Sequence, residues 1–278
     1  MPDPKESLTY GRYLRVPELL ELQKPASDPA HHDEPLFVVI HQVYELWFKL
    51  MLHEVDSAVS HLAADALAEG TRLLRRVVEI QRLLIYQVRI LETMRPQDFL
   101  GFRYHLNPAS GFQSVQFREL EFLLGIKDPQ LFAHLLCDPA ELARLQGRLE
   151  APSLGDALDA LLGRALGAPP DGRQPPESEW RLAALVRVYT EPETFGDLLA
   201  LCEVLVDIDE CLALWRAHHV QMVERMIGVR RGTGGSEGVT YLRTTLPKRA
   251  FPDLWRVRGR LGQDPGAEAP TGCPVVHR

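Results

Sequence analysis

Apolar residues recur at spacings of three and four along most of this chain, and this periodicity restricts its fold more than any other feature. Such spacing places apolar side chains on one face of an α-helix. Convincing runs of alternating apolar and polar residues, which are typical of strands, are absent from the sequence. We therefore predict an all-α protein, a multi-helix bundle. The longest helices are expected at residues 34–64, 71–94, 112–124 and 192–228, with a last one near 251–261.

The length of the chain suits one large domain. It has 278 residues, of which 45% are hydrophobic, and these can form a sizeable core. We expect a single helical domain over residues 1–262. Within this domain, the pattern at residues 129–176 predicts a smaller helical insertion. The insertion should end in a proline-rich linker at 168–176, because proline interrupts a regular helix. Residues 263–278 have the composition of a disordered tail.

Charge and cysteine content exclude several classes of protein. The 31 Lys and Arg residues are outnumbered by 38 Asp and Glu residues, which gives no support for a nucleic-acid partner. We find neither a long apolar run nor a signal-peptide pattern, so we expect a cytoplasmic protein with no membrane partner. The four cysteines form no C-x-x-C pair, which argues against a structural zinc site and a covalently attached heme.

His219 lies in the middle of the apolar face of the helix predicted at 192–228. The residues that share its stripe are Leu212, Trp215, Met222, Val223 and Met226. A histidine in this position needs a partner. The sequence leaves two interpretations open, a core histidine bonded to a backbone carbonyl and a ligand to a metal or a heme.

A second histidine, His41, lies on an aromatic face of the helix predicted at 34–64. Phe37, His41, Tyr44 and Phe48 follow helical spacing and share that face. They predict either a packed core or a site where a planar ligand packs on Phe37 and hydrogen-bonds to His41. Glu45, one turn further on, is interpreted as structural.

Two loops carry groups suited to a small zwitterionic ligand. Arg103 stands between apolar neighbours, and a guanidinium matches a carboxylate with two parallel hydrogen bonds. The segment 232–238 contains four glycines and Thr233, which indicates a flexible lid offering a hydroxyl and backbone amides. The sequence His31-His32-Asp33 is interpreted as a solvated loop.

Together these segments resemble the tryptophan 2,3-dioxygenase family. The motifs occur in family order and cover nearly the whole chain. They are Leu-Thr-Tyr-Gly-Arg-Tyr-Leu at 8–14, His-Gln-Val-Tyr-Glu-Leu-Trp-Phe-Lys at 41–49, Phe102-Arg103, Ser-Gly-Phe-Gln-Ser at 110–114, His219, Glu224-Arg225, Arg-Gly-Thr-Gly-Gly at 231–235 and Tyr-Leu-Arg at 241–243.

The resemblance implies a helical bundle that encloses one b-type heme per subunit, ferrous when active, with His219 as the axial ligand to the iron. It further implies that Ser110 and Gly111 lie at the cofactor. His41 would be the distal, catalytic residue, which hydrogen-bonds the indole N–H of the substrate while Phe37 packs against the ring.

The remaining substrate contacts follow from the same resemblance. Arg103 corresponds to the family's carboxylate-binding arginine, and Thr233 to the threonine that contacts the ammonium and carboxylate groups. Tyr10 and Tyr13 match tyrosines that complete the pocket of a neighbouring subunit, which implies a homotetramer with exchanged N-terminal segments. Phe99 stands where some bacterial relatives have a tyrosine, so a polar contact near Arg103 is expected to be missing.

The reaction implied is cleavage of the indole C2=C3 bond of L-tryptophan by O2 to give N-formyl-L-kynurenine. This would be the first step of tryptophan catabolism by the kynurenine pathway. Two alternatives remain open, a monooxygenase of the same superfamily that acts on an indole or another aromatic amino acid, and a heme sensor without turnover.

Overall fold

The computed structural model describes residues 8–135, 137–167, 178–228, 230–232 and 238–262, and within these ranges it consists of helices, turns and loops without strands. The predicted all-α class is confirmed. The α-helices are α1 (Tyr10–Tyr13), α2 (Val16–Leu20), α3 (Glu34–Ala63), α4 (Leu67–Leu91), α5 (Pro96–Phe102), α6 (Val115–Leu124), α7 (Pro139–Glu150), α8 (Leu154–Leu166), α9 (Glu179–Thr190), α10 (Pro192–Ile227), α11 (Val239–Thr244) and α12 (Pro252–Arg256).

The longest predicted helices occur close to their expected bounds as α3, α4 and α10. The helix predicted at 112–124 begins later, at Val115, because the side chain of Ser114 accepts a hydrogen bond from the backbone N–H of Phe117 and caps α6. The preceding residues, Gly111–Gln113, form a separate 3-10 turn capped by Ser110.

Helix α5 was not predicted, because its Pro96 was interpreted as part of the connection between the helices expected at 71–94 and 112–124. Proline is tolerated in the first turn of a helix, where its missing N–H has no intrahelical partner. Helices α9 and α11 were not predicted either. The proline-rich linker predicted at 168–176 and the tail predicted at 263–278 both lie outside the described residues.

The main core lies around α4, which packs against α3 on one side and α10 on the other. Helices α6, α8 and α9 contribute further leucines and valines to it. Within the described residues, α3 has the length and hydropathy that a membrane span requires. It packs against α4, α6 and α8, which is typical of the core helix of a globular protein.

A buried carboxylate fixes the C-terminal part of the bundle to α10. Asp209 is 1% exposed and accepts hydrogen bonds from the backbone N–H of Ala250 at 2.9 Å, the backbone N–H of Phe251 at 3.3 Å and the indole N–H of Trp255 at 2.9 Å. Three donors compensate for removing this charge from water. The segment leading into α12 is thereby held against the middle of α10.

Candidate functional site

A second, smaller apolar cluster lies between the first half of α3 and the last part of α10. His41 projects from α3 and His219 from α10, and the two rings are close enough for a charge on His41 to lower the pKa of His219. The buried members of this cluster are Ile40, Val88, Leu91, Met94, Phe102, Met222 and Met226. The helix packing thus brings together the two histidines that the sequence singled out.

The hydrogen bonding of His41 defines its tautomer. Nδ1 lies 2.7 Å from the carbonyl oxygen of Phe37 and donates to it, because a carbonyl oxygen can only accept. Burial lowers the pKa of His41, so the ring is neutral at pH 7. The lone pair therefore resides on Nε2, which can accept a hydrogen bond from the N–H group of a ligand.

His219 is a neutral imidazole that makes no hydrogen bond to another described residue. Burial, followed by the charges of His41 and Arg118, lowers the pKa of His219 to about 4. The ring stacks on Trp215, with centroids 5.2 Å apart. Protein atoms surround the ring, but part of the surface of His219 remains accessible.

These features fit a heme. A neutral imidazole with a free ring nitrogen is a good ligand for iron, and the apolar cluster suits a planar hydrophobic macrocycle. Among the described residues, no three His, Cys, Asp or Glu side chains gather where they could hold a metal ion. An iron at His219 would thus need most of its ligands from a macrocycle.

An aromatic wall extends from His41 to α5. The Phe37 ring lies 4.1 Å from the His41 ring, centroid to centroid, and stacks on Phe99 at 5.6 Å. Phe102 contacts Phe99 edge-on at 5.5 Å. These rings provide an apolar surface on which an indole can pack, beside the free Nε2 of His41.

Arg103 directly follows α5, one helical turn after Phe99. It is half-buried, and its Nη2 donates a hydrogen bond to the carbonyl oxygen of Arg231. This bond connects the end of α5 to residues 230–232, which lead into the glycine-rich segment. Thr233, the threonine of the predicted lid, lies outside the described residues.

The other predicted site residues lie in the outer parts of the fold. Ser110 caps the turn Gly111–Gln113, and a Cβ built on Gly111 would meet no atom within 4 Å. Tyr10 and Tyr13, on α1, are 78% and 71% exposed.

Two lesser predictions fare differently. Glu45 is structural, as predicted, because it accepts hydrogen bonds from the Ser114 hydroxyl at 2.6 Å and from the Gln116 amide at 2.8 Å. The interpretation of 31–33 as a solvated loop is wrong for His31, whose ring packs on Phe102 with centroids 5.4 Å apart. Only the tertiary packing of α5 reveals that contact.

The sequence analysis missed one charged residue near His219. Arg118 is 8% exposed and lies on α6, with its guanidinium 5.1 Å from the Phe117 ring. A signal existed in the sequence, because Arg118 occupies the same helical stripe as Val115 and Phe122, which are both buried. A charged residue on an apolar stripe predicts a buried ionic contact.

The fold and site together define an all-α protein in which two neutral histidines lie at one apolar cluster. Residues 2–134 and 177–261 match the family described as Tryptophan 2,3-dioxygenase. The chain belongs to the tryptophan 2,3-dioxygenase family. The unmatched stretch, 135–176, overlaps the insertion predicted at 129–176.

Curated relatives support this assignment. A protein of Nocardioides sp. named tryptophan 2,3-dioxygenase is 51% identical over 260 residues, which cover 91% of this chain and 95% of the relative. Proteins of the same name from Xanthomonas euvesicatoria and Xanthomonas campestris are each 42% identical and cover 98% and 94% of this chain. These alignments span 93% and 90% of the two relatives.

Proposed function

We propose that this protein is a heme-dependent dioxygenase that cleaves the indole C2=C3 bond of L-tryptophan with O2 and forms N-formyl-L-kynurenine. The observation that supports it best is the pair of neutral histidines, His41 and His219, at one apolar cluster. The family assignment agrees with this reading. When bound, a ferrous heme would supply the iron at which O2 is activated.

Each side chain then has a distinct task. His219 holds the iron through its free nitrogen. His41 accepts a hydrogen bond from the indole N–H at Nε2, while Phe37 and Phe99 support the ring and exclude water. Arg103 binds the substrate carboxylate.

His41 acts by positioning. The indole N–H is very weakly acidic, and burial has lowered the pKa of His41, so this imidazole is a poor base. Its hydrogen bond to the Phe37 carbonyl fixes the ring plane and directs Nε2 away from the backbone of α3. The orientation of the indole is therefore set by one fixed acceptor.

Labelled oxygen tests the reaction. Heme-loaded, reduced protein is given L-tryptophan under ¹⁸O₂, and the product is analysed by mass spectrometry. Formylkynurenine carrying two labelled atoms supports the dioxygenase. A singly labelled hydroxy-indole would instead identify a monooxygenase, and a stable oxygen complex with unconsumed tryptophan would identify a sensor.

Two histidine substitutions test the assignment of the ligand. His219→Ala is expected to abolish the heme absorption band and the activity together. His218→Ala, at the adjacent position on α10, is the matched control and should retain both. Heme binding that persists in the His219→Ala protein would contradict the assignment.

The same proposal includes a homotetramer in which Tyr10 and Tyr13 of one subunit complete the pocket of the next. The exposure of both rings, and of Leu8 and Leu20 beside them, supports it. Light scattering measures the oligomeric state. Mixed oligomers of Tyr13→Ala and Arg103→Gln subunits should recover activity, because a pocket that combines Arg103 of one subunit with Tyr13 of the other would then be intact.

We also expect a cytoplasmic location, which cell fractionation tests.

A further inference from the structure

Arg118 carries a buried positive charge that the described protein groups do not fully compensate. Its side chain is 9% exposed. Its Nη1 donates to a carboxylate oxygen of Glu121, but its Nε is buried without an acceptor. A buried N–H without a partner is rare in folded proteins and calls for an explanation.

The charge balance around Arg118 is uneven. Glu121 is shared, because its other oxygen accepts a hydrogen bond from Arg216 at 2.7 Å. Arg216 is 3% exposed, so two buried guanidinium groups face a single carboxylate. The neighbouring ion pair of Lys248 and Asp128 contributes one positive and one negative charge, so the excess of one positive charge remains.

Another buried arginine lies in a cluster whose charges balance. Arg181 lies 2.9 Å from a carboxylate oxygen of Asp159 and 3.4 Å from one of Asp253, and Arg256 also pairs with Asp253 at 3.2 Å, so two guanidinium groups face two carboxylates. Burial alone therefore does not produce the excess positive charge at Arg118. An uncompensated buried charge destabilises a protein unless a further group pairs with it.

The position of Arg118 identifies the direction from which such a group would come. Its guanidinium carbon lies 5.0 Å from the ring centroid of Phe112, which follows Ser110 and Gly111, the two residues that the family resemblance implies at the cofactor. On the other side, the Phe117 ring lies 5.1 Å from Trp215, which stacks on His219. Arg118 thus stands between that turn and the histidine of α10.

From this arrangement we propose that Arg118 binds a carboxylate of the cofactor, a heme propionate, and that this anion neutralises the excess charge. The inference rests on the proposed function, which supplies the heme. The substrate carboxylate is a less suitable partner because the proposed function assigns it to Arg103, which follows α5 one helical turn after Phe99. Nε and the outward nitrogen of a guanidinium form a fork that fits a carboxylate.

Apoprotein titrations with two cofactors test the contact. Heme and heme dimethyl ester, which lacks the propionate charges, are titrated separately and the affinities are read from the Soret absorbance. The wild type should prefer heme. Arg118→Met should reduce that preference by about tenfold to a hundredfold, as expected for a lost charge-assisted hydrogen bond. Arg118→Lys should retain part of it.

Arg144→Met is the matched control, since Arg144 binds the neighbouring carboxylate of Glu119 from the surface and is 56% exposed. Its preference for heme should equal that of the wild type. An unchanged preference in Arg118→Met would overturn the inference. If Arg118→Met does not fold, the test is made with Arg118→Lys. A preference for heme equal to that of the wild type in Arg118→Lys would then overturn the inference.

The stability of the apoprotein distinguishes this role from that of a purely structural salt bridge. If Arg118 only formed a salt bridge, its removal would lower the urea midpoint of unfolding. Without heme, Arg118→Met should unfold at the same or a higher urea concentration than the wild type, because the excess charge is gone. A lower midpoint would show a structural role instead. A wild type that binds neither cofactor would disprove the proposed function as well, whereas equal binding of both would disprove only the propionate contact.

Discussion

The indole of Trp215 and the imidazole of His219 lie parallel, with ring centroids 5.2 Å apart and an angle of 5° between their planes. The indole N–H of Trp215 donates to the hydroxyl of Tyr44 at 3.3 Å, and that hydroxyl donates to the carbonyl oxygen of Leu84 at 2.7 Å. A chain of contacts from α10 through α3 to α4 therefore orients the proposed iron ligand.

Tyr44→Phe should loosen this orientation. The substitution removes one acceptor and one donor from a half-buried network, which costs about 0.5–3 kcal/mol in the free energy of unfolding. Urea denaturation measures that loss, and the iron–histidine stretching frequency of the heme-loaded protein should shift. Tyr86→Phe, on a 61% exposed ring of α4, is the control and should leave both unchanged. An unaltered Tyr44→Phe protein would show that Tyr44 does not position His219.

Acidification should destabilise the apoprotein through its two buried histidines. In the unfolded chain a histidine gains its proton near pH 6.5, whereas the pKa of His219 is lowered to about 4 in the folded protein. The unfolded state therefore binds more protons between these values, and stability falls as the pH decreases from about 6.5 toward 4. Above pH 7 the histidines should have no effect.

Urea midpoints at several pH values measure this dependence. Carboxylates also titrate in this range, so the informative quantity is the difference between wild type and His219→Asn. The variant should lose less stability than the wild type as the pH falls. For a single titrating site, the two folding equilibrium constants should diverge by at most about tenfold for each pH unit. Parallel curves for the two proteins would contradict the lowered pKa of His219.

Arg103→Gln should remove carboxylate recognition. A charge-assisted hydrogen bond contributes about 1.5–3 kcal/mol, so kcat/KM for L-tryptophan should fall about tenfold to a hundredfold. Tryptamine, which lacks the carboxylate, separates this effect from a displaced loop, because its turnover should change little. The control is Arg95→Gln, whose arginine is 70% exposed and pairs with Asp98 on α5.

Phe99→Tyr should improve substrate affinity. Phe99 stacks on Phe37 and precedes Arg103 by one helical turn, so a hydroxyl here can add a hydrogen bond to the bound carboxylate. We expect a lower KM for L-tryptophan with a smaller change in kcat. Steady-state kinetics measure both, with Phe99→Leu as the comparison that removes the ring. A raised KM in Phe99→Tyr would place the substrate carboxylate elsewhere.

Asp209→Ala should strongly destabilise the fold. Three donors, from Ala250, Phe251 and Trp255, would lose their acceptor, at a cost of about 3–5 kcal/mol. Thermal unfolding measures the loss. Glu210→Ala, at an exposed position of the same helix, should be nearly neutral. A mild effect at Asp209 would mean that water replaces the carboxylate.

The sequence by itself determined the longest helices and identified the residues proposed for the site. Apolar periodicity gave α3, α4 and α10 nearly to their ends because a helix of many turns repeats its pattern often enough to be unambiguous. Shorter elements such as α5 were missed, since a single proline at its start was read as an interruption. Recognition of Phe37, His41, Arg103 and His219 rested on motifs whose chemistry is local.

Only the tertiary structure decided which groups meet. Spacing along one helix cannot show that His41 and His219, separated by 178 positions in the sequence, approach the same apolar cluster from different helices. Nor can it show that Glu121 is shared between Arg118 and Arg216. Charge balance and protonation depend on the distances and burial that packing creates, so pKa values and unpaired charges belong to the fold as a whole.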